Sequence, residues 1–147
     1  MRTLSWGLDE ELLVGSASLT LFSTHNTAEQ LWTKPLASAA KLANFSYDGT
    51  LIASTGTYDR LVKIWRRLAF GSAGQRFDYA YLPHPTTVTG THWRRPFHRE
   101  FRMENVLYTI CADNKVRVWA AGDPHGLQIL SFWAEIDMLE SIKPRSM

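Results

Sequence analysis

His84 and Asp113 are the two residues whose types could do proton chemistry together, since a histidine and a carboxylate within hydrogen-bond reach form a general acid/base pair. Their neighbours argue for a structural use instead. Thr109 stands four positions before Asp113 and Trp119 six after it, and the same offsets join Thr55, Asp59 and Trp65. A histidine, a strand threonine, a turn aspartate and a strand tryptophan can make one buried hydrogen-bonded chain, with the imidazole ordered between the carboxylate and the hydroxyl. Such a chain accounts for His84, Thr109, Asp113 and Trp119 without a substrate, and Pro83-His84-Pro85 reads as a rigid loop that would hold the ring in place. Cys111 lies in the apolar run Val106-Leu107-Tyr108-Thr109-Ile110-Cys111 and reads as a small core residue; as the one cysteine it excludes an intramolecular disulfide and a CxxC ligand pair. The five histidines are dispersed, and there is no Gly-rich phosphate loop, HExxH or GxSxG. No catalytic, cofactor-binding or metal site is expected.

The elements that would position these residues come from a repeat. Asp59-Arg60-Leu61-Val62-Lys63-Ile64-Trp65 and Asp113-Asn114-Lys115-Val116-Arg117-Val118-Trp119 are two copies of one cadence, a turn aspartate followed by an alternating strand that closes on tryptophan. The tryptophans lie 54 positions apart, and a weaker copy, Ser18-Leu19-Thr20-Leu21-Phe22, ends 43 positions before the first of them. A period of about 40 to 45 residues with this ending is the WD-repeat signature, four strands to a propeller blade. The expected fold is all-β, about three WD40-type blades of an incomplete propeller, because 147 residues hold little more than three such units and closed propellers use about four to eight. Blades are expected at about 1–33, 40–82 and 84–133, with 134–147 an exit segment or the start of the next element. Strands are expected at Thr3–Trp6, Leu12–Gly15, Leu19–Phe22 and Gln30–Thr33; at Lys41–Phe45, Leu51–Thr55, Leu61–Trp65 and Phe77–Leu82; and at Val88–Trp93, Val106–Cys111, Val116–Ala120 and Leu127–Trp133. Asp48-Gly49 marks a hairpin turn and Gly71-Ser72-Ala73-Gly74 a loop. Beyond the third blade, residues 134–142 read equally as the next strand or a helical exit.

The composition is that of an ordinary globular domain rich in large rings, 45% hydrophobic with six tryptophans. No apolar run approaches the roughly 18 to 20 residues that span a bilayer, and the N-terminus lacks a signal-peptide pattern, so a cytosolic protein is expected. The net charge is only +2, but its distribution is uneven. First and third strands of a blade run in the same direction, so the connections after Trp65 and Trp93 should emerge on one face. These begin Trp65-Arg66-Arg67 and Trp93-Arg94-Arg95 and continue through Arg76, His98, Arg99 and Arg102, placing seven of the 16 Lys and Arg residues there. Solvation of long loops is one reading. An anion-seeking face, Arg66, Arg67, Arg76, Arg94, Arg95, Arg99 and Arg102, that would take an acidic protein segment, a phosphoinositide-bearing membrane or nucleic acid is the other. Nucleic acid is the least favoured of these, for lack of any RNP-like stripe or recognition helix.

The run Ser46-Tyr47-Asp48-Gly49-Thr50-Leu51-Ile52-Ala53-Ser54-Thr55-Gly56-Thr57-Tyr58-Asp59 through Trp65-Arg66-Arg67 resembles the N-terminal propeller of the large subunit of the RAVE complex, the DmX-like or rabconnectin family. Asp78-Tyr79-Ala80-Tyr81-Leu82-Pro83-His84-Pro85, His92-Trp93-Arg94-Arg95-Pro96, Asn105 through Trp119, Trp133-Ala134-Glu135-Ile136-Asp137 and Pro144-Arg145 follow in the same order. The resemblance implies a non-catalytic scaffold that promotes assembly of the vacuolar proton-transporting ATPase (V-ATPase), with its peripheral-sector subunits and other RAVE components as partners. It also implies a cytoplasmic place, peripheral to vacuolar or endosomal membranes. Family members are much longer, with a large helical region after the propeller. A propeller that docks on anionic membrane or cargo in vesicle traffic is the alternative.

Overall fold

The computed structural model describes residues 2–25, 27–68, 76–95, 105–121 and 129–141. Three four-stranded antiparallel sheets follow one another along the chain. The first holds β1 (Thr3–Trp6), β2 (Glu11–Gly15), β3 (Ser18–Ser23) and β4 (Glu29–Pro35); the second β5 (Ala40–Phe45), β6 (Leu51–Gly56), β7 (Leu61–Arg67) and β8 (Phe77–Pro83); the third β9 (Val88–Trp93), β10 (Val106–Cys111), β11 (Lys115–Ala120) and β12 (Ser131–Asp137). A four-residue helix, α1 (Met138–Ser141), closes the described chain. The final strand sits at Ser131–Asp137 and runs four residues past the expected end at Trp133, while Leu127 and Gln128 lie outside the described residues. It is fixed by pairing Val116 with Ile136 and Val118 with Ala134, which brings further apolar side chains into line. Residues 134–137 thus finish the fourth strand of the third sheet and do not start a further one, and the short helix follows them.

Each sheet is a meander in sequence order, β1-β2-β3-β4 and its two counterparts, because short connections allow only antiparallel neighbours. The connections show the chemistry that tight turns require. Asp9 and Glu10 both adopt positive φ, 51° and 57°, and Asn114 reaches 61°. Gly49 sits at φ 73° with its Cα against Leu8, so that a Cβ there would lie 2.6 Å from the Leu8 side chain. The turn between β5 and β6 is thus packed on the turn between β1 and β2.

Two apolar cores fill the spaces between the sheets. Leu13, Leu19, Leu21 and Trp32 of the first sheet meet Ala43, Phe45, Ile52, Trp65 and Phe77 of the second. Leu51, Ala53, Val62, Ile64 and Leu82 of the second meet Val88, Trp93, Leu107, Cys111 and Trp119 of the third. The middle sheet serves both, which is why every residue of β6 is buried while side chains alternate between the two cores along it. Full burial of each Leu, Ile or Val is worth about 1.5 to 3 kcal/mol, so these two interfaces dominate the stability of the arc. Trp65 faces the first sheet and stands edge-on to Trp32, ring centroids 5.5 Å apart. Trp119 likewise faces the second sheet. Phe22, at the matching register opposite Leu12, therefore points with Leu4, Trp6 and Val14 away from both neighbours, and Leu4 and Trp6 are exposed.

Candidate partner-binding face and the buried networks

The hydrogen-bonded chain forms between His84, Thr109 and Trp119, with a different order from the one expected. The Trp119 Nε1–H donates to Thr109 Oγ1 at 2.9 Å, and Thr109 Oγ1 lies 2.8 Å from His84 Nε2. His84 Nδ1 lies 2.9 Å from the Leu82 carbonyl oxygen. An acceptor at Nδ1 fixes the proton there, leaving Nε2 to accept from the threonine hydroxyl. The imidazole is thus held by a backbone carbonyl and not by Asp113. Burial pushes the His84 pKa below its usual value, against the raising effect of the Leu82 and Arg60 backbone and with Arg117 adding to the depression. A buried neutral imidazole suits a strut between the second and third sheets.

Asp113 is used elsewhere. Its Oδ2 accepts from Arg117 Nη2 at 3.0 Å and its Oδ1 from the Lys115 N–H at 3.2 Å. The hydrogen bond from Arg117 is the main reason its carboxyl sits below the ordinary aspartate range. Arg117 is itself buried and reaches Glu135 of β12 at 2.7 Å. Asp113, Arg117 and Glu135 thus tie the turn and the two outer strands of the third sheet, a link invisible in the repeat because the second sheet has Lys63 where the third has Arg117.

The second-sheet network also departs from expectation. Trp65 Nε1–H donates to Ser54 Oγ at 3.0 Å, and Thr55 instead donates to the Leu61 carbonyl. The cause is turn length. Residues 57–60 join β6 to β7, against residues 112–114 between β10 and β11. One extra residue shifts the register, so Ser54 pairs with Lys63 as Thr109 pairs with Arg117, and Thr55 turns to the opposite face. Asp59 caps the longer turn by accepting from the Gly56 N–H at 3.1 Å. At Gly56 a Cβ would meet Ser38 Oγ and the Ala39 carbonyl, so the strand end lies hard against the link between the first two sheets.

The connections after the first and third strands do share one end of the arc. Arg67, at the end of β7, donates to the Gly49 carbonyl of the β5–β6 turn, and Asn105, just before β10, donates to Asp48 of the same turn. Partial burial raises the Asp48 pKa, but donors from Thr50, Ser46 and Asn105 outweigh it and hold the carboxyl low.

Charge on this end is largely paired. Arg66 makes a bidentate contact with Asp78, its direct cross-strand partner, Nε 3.1 Å from Oδ1 and Nη2 2.6 Å from Oδ2. That contact raises the guanidinium pKa further. Arg67 makes another with Glu11, at 3.1 and 2.8 Å, beneath which the Phe45 and Phe77 rings lie 5.7 and 5.3 Å away. Both arginines are bonded to carboxylates that lie 12 and 56 residues away in the chain, Arg67 largely buried and Arg66 still partly exposed. The Arg76 Nε is buried without a partner. Arg94 and Arg95 are exposed, and His98, Arg99 and Arg102, like the loop at 71–74, lie outside the described residues. Sequence reasoning missed Glu11 and Asp78; the cross-strand offset of Asp78 was available, whereas Glu11 becomes a partner only through sheet packing.

Among the described residues no group of three or more His, Cys, Asp or Glu side chains is placed to hold a metal ion, and no helix is long and apolar enough to cross a membrane. Burial raises the Cys111 thiol pKa, which keeps it protonated and inert at neutral pH.

No known family profile matches the chain. It is 26% identical to the Saccharomyces cerevisiae protein "Regulator of V-ATPase in vacuolar membrane protein 1", over 94% of its own length and 11% of the relative's. It is 30% identical to the Schizosaccharomyces pombe protein of that name, over 86% of its length and 10% of the relative's, and 30% identical to human DmX-like protein 1, over 74% and 5%. The chain thus spans about a tenth or less of these relatives. In solved structures it superposes on a chain of the mitotic checkpoint complex, TM-score 0.59 at 18% identity, covering 91% of this chain and 38% of that one. It superposes equally on the β-propeller domain of Myceliophteria thermophila Cps50 (Swd1), TM-score 0.61 at 13% identity, covering 94% and 43%. The fold is therefore that of WD40-type propeller blades, three of them in an arc.

Proposed function

We propose that this chain, a homologue of the V-ATPase regulators of the vacuolar membrane and of the DmX-like proteins over most of its length, is a non-catalytic scaffold segment that promotes assembly of the vacuolar proton-transporting ATPase. The observation that carries this is the joint match in sequence and fold: regulator relatives cover most of the chain, and the fold is a set of rigid blades. In this reading each sheet is one blade, so the three units end near Pro35, Pro83 and Asp137, and residues from Met138 lead out of the arc. The partners are peripheral-sector subunits of the pump and other RAVE components, met in the cytoplasm at the surface of vacuolar or endosomal membranes. His84, Thr109, Asp113 and Trp119, with Thr55, Asp59 and Trp65, serve the fold; they hold blades together and touch no partner.

The basic face enters this reading in reduced form. With Arg66 and Arg67 bonded to Asp78 and Glu11, the exposed Arg95 is its clearest member among the described residues. Co-capture from cytosol and membrane extracts tests the proposal: recovery of peripheral-sector subunits by the tagged chain, reduced by Arg94→Glu with Arg95→Glu, supports it. Flotation of the purified chain with acidic vesicles in the absence of any protein partner, and no recovery of pump subunits, would replace it with docking on anionic membrane.

A further inference from the structure

Each sheet carries the same cross-strand row on its first three strands. Trp6, Leu12 and Phe22 stand opposite one another in the first sheet, Phe45, Ile52 and Trp65 in the second, and Trp93, Leu107 and Trp119 in the third. The pattern of ring, aliphatic chain, ring is thus made three times. In the second and third sheets the whole row is buried against the sheet before it. In the first sheet Trp6 is 66% exposed, and Leu4, which matches the buried Ala43, is 63% exposed. The opposite faces repeat as well. Val62 and Leu82 of the second sheet pair and are buried under the third. Their counterparts Val116 and Ile136 pair in the same register on the side of the third sheet away from Trp119, and there Val116 is half-buried and Ile136 is 49% exposed. Val106, Val118 and Ala120 already close one end of that face as a small cluster, with Ala134 exposed beside Ile136. Leu4, Trp6, Leu12, Phe22, Val116, Ala134 and Ile136 carry no charge, so covering them strips water from no ion. Repeat arrays that stay single end in polar outer faces; here both outer faces are apolar.

We propose that a second copy of this chain covers both faces. The outer face of the first sheet packs on the outer face of the third sheet of the partner copy, and the reverse contact forms at the same time, so that two arcs close into a ring of six sheets. The arc presents the two halves of a contact that it already makes twice within itself, which is why the occupant is its own kind. Sheet number singles out two copies: three sheets fall short of the roughly four to eight of closed propellers, six lie within that range and nine exceed it. A contact between unlike faces gives a closed ring where the rotation closes and a filament where it does not. In the closed pair each copy holds the other at two places, and the second contact forms at the high effective concentration set by the first. The pairing is separate from the basic face, and it holds whether or not the chain acts on the proton pump.

Sedimentation equilibrium of the purified 147-residue chain over a dilution series tests this. The expected mass is that of two chains. Trp6→Lys and Ile136→Glu should each sediment as one chain with an unchanged far-ultraviolet circular dichroism spectrum, since both side chains are exposed in the single arc. Mixed in equal amounts, the two variants should pair again, because one of the two contacts is then unaltered on both sides. A wild-type mass of one chain at every concentration overturns the proposal, and so does a ladder of species beyond two, in which arcs join without closing. A dimer that survives Trp6→Lys alone or Ile136→Glu alone also overturns it, because a contact between like faces would spare one of the variants. Should either variant lose its fold, Trp6→Ala and Ile136→Ala take their places, each expected to raise the dimer Kd about tenfold or more; an unchanged Kd in both counts against the proposal.

Discussion

Trp119 and His84, one in the third sheet and one on the link that leaves the second, share the single hydroxyl of Thr109, with ring centroids 5.1 Å apart. Thr109→Val keeps the shape and removes both bonds, leaving an indole N–H and an imidazole nitrogen buried without partners. Urea denaturation should show a loss of about 1 to 3 kcal/mol, and Thr109→Ser should recover most of it. Equal loss in both variants would mean that packing, not the hydroxyl, joins the blades.

The same imidazole makes stability depend on pH. Its pKa in the folded chain is lowered, chiefly by burial, so between that value and its ordinary one near 6.5 the unfolded chain binds more protons than the folded one. The contribution is complete above about pH 6.5 and is lost as pH falls through the depressed folded value. Urea midpoints measured from pH 8 down to 5 should decline below about 6.5, and His84→Gln should flatten that part of the curve. The lowered carboxyls of Asp48 and Asp113 act in the same direction only at more acidic pH, as the solution falls through their folded values.

Ser54→Ala and Thr55→Val should separate the two candidate partners of Trp65. The first strands a buried indole N–H and should cost about 1 to 3 kcal/mol. The second removes one of the bonds to a carbonyl that has a further lone pair, and should cost less than about 1 kcal/mol. Reversal of that order in denaturation experiments would mean that the register of β6 on β7 is the one the repeat predicts.

Glu11→Gln breaks a largely buried bidentate pair with Arg67 and leaves the guanidinium between Phe45, Phe77 and Gly49 with two of its three acceptor atoms. We expect a loss of about 1 to 3 kcal/mol, nearly insensitive to salt because the pair is shielded from solvent. Arg66→Gln, whose pair with Asp78 is more exposed, should cost under about 1 kcal/mol and fade with salt. Similar salt dependence for both would contradict the geometry.

Tyr58 holds φ at 59° while its side chain is 84% exposed. Tyr58→Asn, which tolerates that conformation better, should raise the melting temperature, with a gain of about 0.5 to 1 kcal/mol. An unchanged or lowered melting temperature would show that the ring packs more than its exposure indicates.

The strands were legible because alternation and turn residues coincide: Val62 and Ile64 face the core shared with the third sheet, Val116 and Val118 lie on the side of the third sheet away from Trp119, and Asp48-Gly49 and Asp113-Asn114 mark where the chain reverses. Boundaries moved by a residue or two, except at β12, where Phe132, Trp133, Ala134 and Ile136 give a long apolar stretch with no internal marker of register. The repeat also aligned Thr55 with Thr109, and it misled there because a one-residue difference in turn length cannot be seen by comparing offsets from Trp alone. The pairings of Arg66 and Arg67 were hidden for a different reason. A linear chain displays its arginines as a cluster, while the acids that neutralise them arrive from other strands, Glu11 across the interface between sheets.

Because β6 is buried on both faces, the middle sheet is the common wall of both cores, and this has a consequence for synthesis on the ribosome. The first sheet emerges with Leu13, Leu21 and Trp32 facing no neighbour, and the surface that will cover them is complete only when β8 has followed, about 50 residues later. At roughly 5 to 20 residues per second the nascent first blade spends several seconds with that face wet. A holdase present in those seconds would govern yield more than any change in final stability, and slower translation between Pro35 and Pro83 should lower the fraction of chains that reach the folded arc.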